Sequence, residues 1–459
     1  MRTTVILGAG PGGTGPLTWA AQNGLLRDWI DRGVTMVDRR KAIGGTLGRY
    51  MINSDSLGGA YLECLDAPAG QDFFAPLRDD PTTRAIAQQR SGFPALELVD
   101  RYLHRLGGLL EGALDESAGG AFRRETEIRR LHLQKDGSVV AEIGSVAGGT
   151  SYVEARTAIM ALGGRQNVPA SFDAGSGFSI RVADLDAEKI VTSDIILTAA
   201  GMAQVRQRLA AAGHCRIVIL GGAHSAYSAA WALTTFLPDL PFEPNDITIV
   251  ARRAPRIFYD SRASADADRY PVEDGDICPR TLRVNRLAGL RGNGRDIWRR
   301  MEGCDGVEAE PRARTILLTP DNRTIGHNEL ARLLDEAALI VTAFGYRSRT
   351  IPVFGPNGRR LQLRADRGGA MVDQNGRVCL ADGTALPQVF GIGLGTGYVP
   401  FGTMGGEPNF RGQANSWWLY QNGIGKAVYQ GIHDCLVRKP GKSMALDYGN
   451  LASASPASS

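Results

Sequence analysis

The stretch "TTVILGAGPGGTGPLTWAA" (Thr3–Ala21) decides the fold. "TTVIL" is β-branched and aliphatic, as a buried strand requires, and "PLTWAA" begins a helix. Between them "GAGPGG" places Gly8, Gly10 and Gly13 in a G-x-G-x-x-G pattern, with Pro11 and Gly12 in the turn. The first glycine permits a tight turn and the second lets backbone approach a pyrophosphate. The third lets helix and strand pack closely, while phosphate charge sits at the helix N-terminus. A second strand, "VTMVD", ends in Asp38, followed by Arg39. An acid at that place accepts hydrogen bonds from a ribose diol. The gap to Asp38 exceeds the usual ~20 residues, so the helix, expected over Leu17–Ile30, or its loop is extended.

A second unit of the same kind lies two hundred residues on. "RIVILGGAHSAYSAAW" (Arg216–Trp231) again reads strand, glycine turn, helix. Gly221 holds the first position, Ala223 the second and Ala226 the third, and Gly222 supplies extra freedom where Ala223 brings a methyl. His224 and Ser225 start the helix, within reach of a nucleotide, and Ser225 is placed to donate to phosphate. The next strand, "DITIVARR", ends in Arg252 and Arg253 where the first unit has an acid. Two guanidinium groups suit a 2′-phosphate and so select NADPH. The acid of the first unit suits the unphosphorylated ribose of FAD.

Around these units the chain reads as globular. Its 459 residues exceed one ordinary core, and 43% hydrophobic with 22% charged residues is the balance of a folded soluble protein. Net charge is only +4, Lys occurs six times, and the arginines are scattered, so no nucleic-acid footprint stands out. The six cysteines form no C-x-x-C pair, and the histidines show no ligand spacing, so neither a dithiol centre nor a metal site is expected. No apolar run is long enough to span a membrane. The chain enters a strand almost at once, without a basic-then-apolar leader, and a cytoplasmic location is expected. Further elements are a helix within 90–115, a hairpin turned at Asp136–Gly137, a strand pair ending in "TAIMALGGRQNVP" (157–169), strands in "AALIVTAFGYRSR" (337–349) and "VFGIGLGTG" (389–397), and a closing helix over 413–432. The Ser/Ala-rich end, 441–459, is expected to be a disordered tail.

The paired units, together with "MALGG" (Met160–Gly164) and "VTAFGY" (Val341–Tyr346), resemble the NADPH-dependent flavin monooxygenases and N-hydroxylases. In that family the two glycine turns lie on two domains. The resemblance makes Gly163 and Gly345 the outward and return crossovers, and sets Gly45, Thr46, Leu47, Asn53 and Ser54 of "IGGTLGRYMINSDS" where backbone wraps the flavin. Gly393 falls in the closing flavin strand, which lacks the family's Gly-Asp ending. "RRAPRIFYDS" (252–261) is similar to the segment that follows the NADPH arginine. The tryptophan–histidine pattern of the amine N-hydroxylases is missing after Gly45.

The expected architecture is α/β, with two Rossmann-like dinucleotide-binding domains and the NADPH domain inserted into the FAD domain. FAD-binding parts are expected at 1–170 and 341–440, the NADPH-binding part at 171–340. The resemblance implies an FAD-dependent, NADPH-consuming monooxygenase acting with molecular oxygen on a small molecule, at nitrogen or another heteroatom, through a C4a-(hydro)peroxyflavin. The alternative is an FAD-dependent reductase or dehydrogenase that does not activate oxygen. A regulatory nucleotide-binding protein is a third reading. A disulfide reductase is disfavoured because Cys64 has no cysteine near it in sequence. "DICPRTLRVNRLAGLRG" (276–292) carries Arg280, Arg283, Asn285 and Arg286, which would suit an acidic substrate if they face the cleft. Catalytic residues, substrate and homo-oligomeric state stay open.

Overall fold

The structure, a computed structural model, describes residues 1–145, 148–166, 168, 171–173, 179–318 and 327–437. The expected tail at 441–459 lies outside the described residues. The first sheet is built from β1 (Arg2–Leu7), β2 (Val34–Val37), β3 (Gly120–Arg123), β4 (Thr126–Leu133), β5 (Val139–Ser145), β6 (Thr150–Met160) and the later strand Ala385–Gly391. β3, β2, β1, β6 and Ala385–Gly391 run side by side and parallel, with Thr4 opposite Val34 on one flank of β1 and Thr157 on the other. Val5, Ile6 and Leu7 are wholly buried, as expected of parallel strands covered by helices on both faces. β4, β5 and β6 form an antiparallel meander, so β6 joins the meander at one end and the parallel row at the other.

The expected single helix after the first glycine turn is two: α1 (Pro11–Gln22) and a short helix Leu26–Asp31. Gly24, at φ +69°, turns the chain between them and accounts for the long gap to Asp38. The closing helix is likewise broken, into Trp417–Tyr420 and Gly423–Val437, and both pieces pack on α1. The contact is close: a Cβ on Gly15 would lie 2.6 Å from Tyr420 Cβ. Trp19 and Trp29 meet the Tyr429 ring at centroid distances of 5.1 and 5.2 Å. The hairpin turns at Asp136–Gly137, where the Asp136 carboxylate accepts from the Ser138 N–H at 2.9 Å. The helix within 90–115 is Leu96–Asp115.

The second sheet is wholly parallel. Its order is Ile190–Thr192, Leu339–Thr342, Ile217–Leu220, Ile247–Ala251, Ala313–Leu317. Separate apolar clusters cover its two faces, one around Ile217, Ile219 and Tyr227, the other around Val218, Leu220 and Leu334. The chain thus leaves an unfinished first sheet, builds the second, and returns to complete the first. The two crossovers meet: Gly164–Gln166 pairs antiparallel with Tyr346–Ser348. Gly163 and Gly345 precede these strands at φ +73° and +80°, conformations that favour glycine. Among the described residues no helix is long and apolar enough to cross a membrane.

Candidate active site

The first glycine turn is shaped by backbone contact. Gly8 has φ +110°, and a Cβ there would lie 2.3 Å from the Ala161 carbonyl oxygen. A Cβ on Gly13 would lie 1.9 Å from the Gly8 carbonyl oxygen, so helix and strand touch at this point. Gly10 differs: the nearest atom to its Cβ position is Gly45 Cα, 3.9 Å away. Gly10 caps α1 without a side chain and Pro11 takes the first helical position, so the first-turn N–H groups have no capping oxygen. Gly12 faces Gly393, whose Cα would be 3.2 Å from a Gly12 Cβ. Gly12 and Gly45 are packed closely, their Cβ positions 2.9 Å from the Ile392 carbonyl oxygen and from Pro11 Cδ, while the Cβ positions of Gly10 and Gly393 face open space that a pyrophosphate could fill.

Asp38 is buried at the end of β2, and its carboxylate accepts from the Ala9 N–H at 2.7 Å and the Arg40 N–H at 2.9 Å. That fixes it beside the turn. Arg39 is exposed. Thr46 Oγ1 accepts from Arg40 Nη2 at 3.3 Å, and Leu47 opens a short 3₁₀ turn. Ser54 turns inward instead: its hydroxyl is 2.6 Å from the Tyr61 hydroxyl and also accepts from the Ser56 N–H. It braces the segment.

The second turn repeats the geometry. Gly221 has φ +134°, and its Cβ would lie 2.4 Å from the Ala343 carbonyl oxygen. Ala223 caps the helix His224–Phe236 with no side-chain hydrogen bond. A Cβ on Gly222 would meet the Ala251 Cβ at 2.6 Å, so Gly222 keeps the turn seated on the neighbouring strand. Ser225 is half-buried in the first turn of the helix. Arg252 and Arg253 are exposed just past Ile247–Ala251, and among the described residues neither is held in an ion pair. His224 Nε2 is sealed from solvent without a partner. Burial pushes this imidazole down from its ordinary range, with Asp55 opposing and Arg291 reinforcing the shift. A neutral ring with an unmade hydrogen bond is an unusual thing to bury, and it fits a nucleotide contact.

The segment that follows Gly45 joins the two domains. The Met51 N–H donates to the Leu197 carbonyl at 2.9 Å and the Asn53 N–H to Asn293 Oδ1 at 2.6 Å. Arg291 Nη1 donates to the Asp55 carbonyl at 2.8 Å. Asn53 thus acts through its backbone, and its side chain is exposed. Arg291 and Asn293 escaped sequence reading. Nothing in their spacing marks them, although Arg291 belongs to the arginine-rich segment already noted. Asp260 pairs with Arg283 at 3.3 Å and Ser261 caps the helix Arg262–Ala267.

Trp417 packs in the first core, and its neighbour Trp418 carries the guanidinium groups of Arg280 and Arg286 at 5.3 and 5.1 Å from its centroid. Among the described residues Cys64, Cys215, Cys278, Cys304 and Cys379 form no disulfide. Cys64 is buried against Tyr102, and burial pushes its thiol up to about 12, which makes it inert as a redox centre.

Two parallel dinucleotide units, one inserted in the other and joined by paired crossovers, define a two-domain flavoprotein of the pyridine-nucleotide-dependent class. No protein-family model matches the chain. The CMP-5′-(3-aminopropyl)phosphonate hydroxylase of Streptomyces rubellomurinus is 31% identical over 431 residues, which is 94% of this chain and 97% of that protein. The reduced ornithine hydroxylase of Pseudomonas aeruginosa superposes with a TM-score of 0.53 at 13% identity, over 94% of this chain and 99% of the other. The FAD-bound cadaverine monooxygenase of Erwinia amylovora gives 0.52 at 11% identity, over 97% of each chain. These structures show the fold, and the sequence likeness to the Streptomyces hydroxylase shows the family. The chain belongs to the NADPH-dependent flavin monooxygenases of the N-hydroxylase type. It is an enzyme, a monooxygenase that hydroxylates a small molecule.

Proposed function

We propose that the chain hydroxylates the nitrogen of a primary amine borne on a phosphonate or phosphate conjugate, with an aminoalkylphosphonate joined to a nucleotide as the favoured substrate. The observation that carries this reading is the likeness, over nearly the whole length of both chains, to a hydroxylase of CMP-5′-(3-aminopropyl)phosphonate.

Bound FAD supplies the redox and oxygen-transfer chemistry. The protein binds, orients and shields. Gly8, Gly10, Gly12 and Gly13, with Pro11, would hold the FAD pyrophosphate at the start of α1, with Asp38 toward the ribose. Gly45, Thr46, Leu47 and Gly393 would wall the flavin. Gly221, Gly222, His224 and Ser225 would hold the NADPH pyrophosphate, and Arg252 and Arg253 its 2′-phosphate. The Met51–Asp55 segment, tied to both domains, closes the space between the sites against water.

The test is turnover by the FAD-loaded enzyme with NADPH and oxygen on four amines: the CMP conjugate, free 3-aminopropylphosphonate, ornithine and cadaverine. The reading expects a product one oxygen heavier, with NADPH use coupled to product formation, and the best kcat/KM on the conjugate. Coupled hydroxylation of ornithine or cadaverine with none of the phosphonates would overturn it.

A further inference from the structure

We propose that Arg280, Arg286 and Arg291, carried on and just after the loop Cys278–Leu290, form the binding site for the anionic phosphonate or phosphate group of the substrate. This inference rests on the proposed function and names the residues that would recognise that substrate.

Among the described residues Arg280, Arg286 and Arg291 make no ion pair, although Glu63, Glu407 and Asp55 act on them from farther off. Leu282 and Asn285 take left-handed conformations, at φ +57° and +47°, unusual for residues with a side chain. Hydrogen bonds hold the bend: the Cys278 N–H donates to the Arg283 carbonyl at 2.9 Å, and the Asn285 N–H to the Asp276 carbonyl at 2.8 Å. Asn285 is buried, with its Nδ2 bonded to the Ile257 carbonyl at 3.1 Å and its Oδ1 without a partner.

Arg286 is 8% exposed, yet makes no ion pair. Its Nη1 donates to the Gly405 carbonyl at 3.0 Å and lies 3.7 Å from Cys278 Sγ. The nearby Glu407 is engaged elsewhere, accepting from the Leu287 and Ala288 N–H groups at 2.9 to 3.1 Å. Arg291 donates to a backbone carbonyl and lies 4.5 Å from the Phe258 centroid, also without an ion pair. Arg280 is exposed and shares the Trp418 ring with Arg286. Burial lowers the pKa of both Arg286 and Arg291; neighbouring arginines push the same way, while Cys278 and Glu407 oppose the shift at Arg286 and Asp55 and Glu407 oppose it at Arg291.

A buried guanidinium beside like charges is unfavourable unless an anion joins it. A phosphonate or phosphate oxygen matches the guanidinium fork. Arg283, in the same loop, lacks this character because Asp260 balances it at 3.3 Å. The site is continuous with the cofactor region through Arg291, which holds the Asp55 carbonyl of the flavin-wrapping segment at 2.8 Å. NADPH also carries phosphates, so the same chemistry has two sources that experiment must separate.

The experiment is calorimetric binding of CMP to the FAD-loaded protein, beside the NADPH dependence of flavin reduction. R280A, R286Q, R291A and R283A are compared with the parent. Removing a charge-assisted hydrogen bond weakens binding about tenfold or more. The expected result is that fall in CMP affinity for R280A, R286Q and R291A, with CMP binding by R283A unchanged and the NADPH dependence of R280A and R286Q unchanged. R280A, on the surface, keeps the test valid if the buried R286Q fails to fold. Weakened NADPH dependence with CMP binding intact would assign the arginines to the coenzyme and overturn the proposal. Parent-like CMP binding in R280A and R291A, or no CMP binding by the parent, would also overturn it. Turnover of the conjugate by the parent reports separately on the proposed function.

Discussion

Single residues divide into those that build the turns and those that would meet a ligand. Gly13 builds: its Cβ position lies 1.9 Å from a backbone oxygen. Gly10 has 3.9 Å of room on that side. We therefore expect G13A to lower the melting temperature by several degrees, a ΔΔG of about 1–3 kcal/mol. G10A should melt close to the parent yet lose flavin, seen as loss of the yellow absorbance after gel filtration. A yellow G10A of parent-like affinity would contradict the placing of a pyrophosphate there. At the second turn, R252A and R253A should each raise KM for NADPH, by roughly 10- to 100-fold for a lost charge-assisted hydrogen bond, and narrow the preference over NADH. Equal use of NADH and NADPH by the parent would remove the basis for assigning these arginines to a 2′-phosphate.

His224 carries a pH consequence at the same scale. Burial depresses its folded pKa, while the unfolded value stays near ~6.5. As pH falls through that range the unfolded chain takes a proton before the folded one, so stability present above about 6.5 is lost toward the depressed value. H224Q, which cannot titrate, should lose less stability than the parent between about pH 7 and 5, read from denaturant midpoints. A parallel loss in both proteins would show that the folded imidazole is not depressed.

Among the elements, strands and turns were the most legible. Strong alternation of apolar runs with glycine turns marks β1, β2 and Ile217–Leu220, because a parallel strand covered on both faces must be apolar throughout. Helix breaks were not legible. Gly24 and the Gln421–Asn422 break end helices through local backbone geometry that periodicity does not encode. The ribbon of Gly164–Gln166 with Tyr346–Ser348 was visible only as two separate glycine crossovers, since pairing across more than a hundred residues leaves no local pattern. The tie from Asn293 Oδ1 to the Asn53 N–H is a contact of this kind. N293A should leave that N–H without its partner and cost about 1–3 kcal/mol, with a raised KM for NADPH as the connecting segment loosens. Unchanged melting and KM would show that the contact is incidental.

At the scale of the whole molecule, the order of motifs along the chain was enough to place one dinucleotide domain inside another. The cofactor turns were legible because phosphate binding imposes glycine at fixed spacing. The arginine site was half legible: its residues are close in sequence, but what they face depends on Trp418, Phe258 and Asp55, contributed by distant segments. Ser54 shows the reverse failure, a polar residue in the expected stretch whose hydroxyl turns into the core.

The central claim is that one atom of molecular oxygen is placed on the nitrogen of a phosphonate- or phosphate-bearing amine while the electrons of NADPH reduce the other atom to water. The most direct test incubates the FAD-loaded enzyme, NADPH and the CMP conjugate of 3-aminopropylphosphonate under heavy-isotope oxygen gas, and reads the product by mass spectrometry. The account predicts a hydroxylamine carrying one heavy oxygen atom, with one NADPH oxidised per product formed. NADPH oxidation that ends in hydrogen peroxide, with the conjugate and the free aminophosphonate both unchanged, would contradict it.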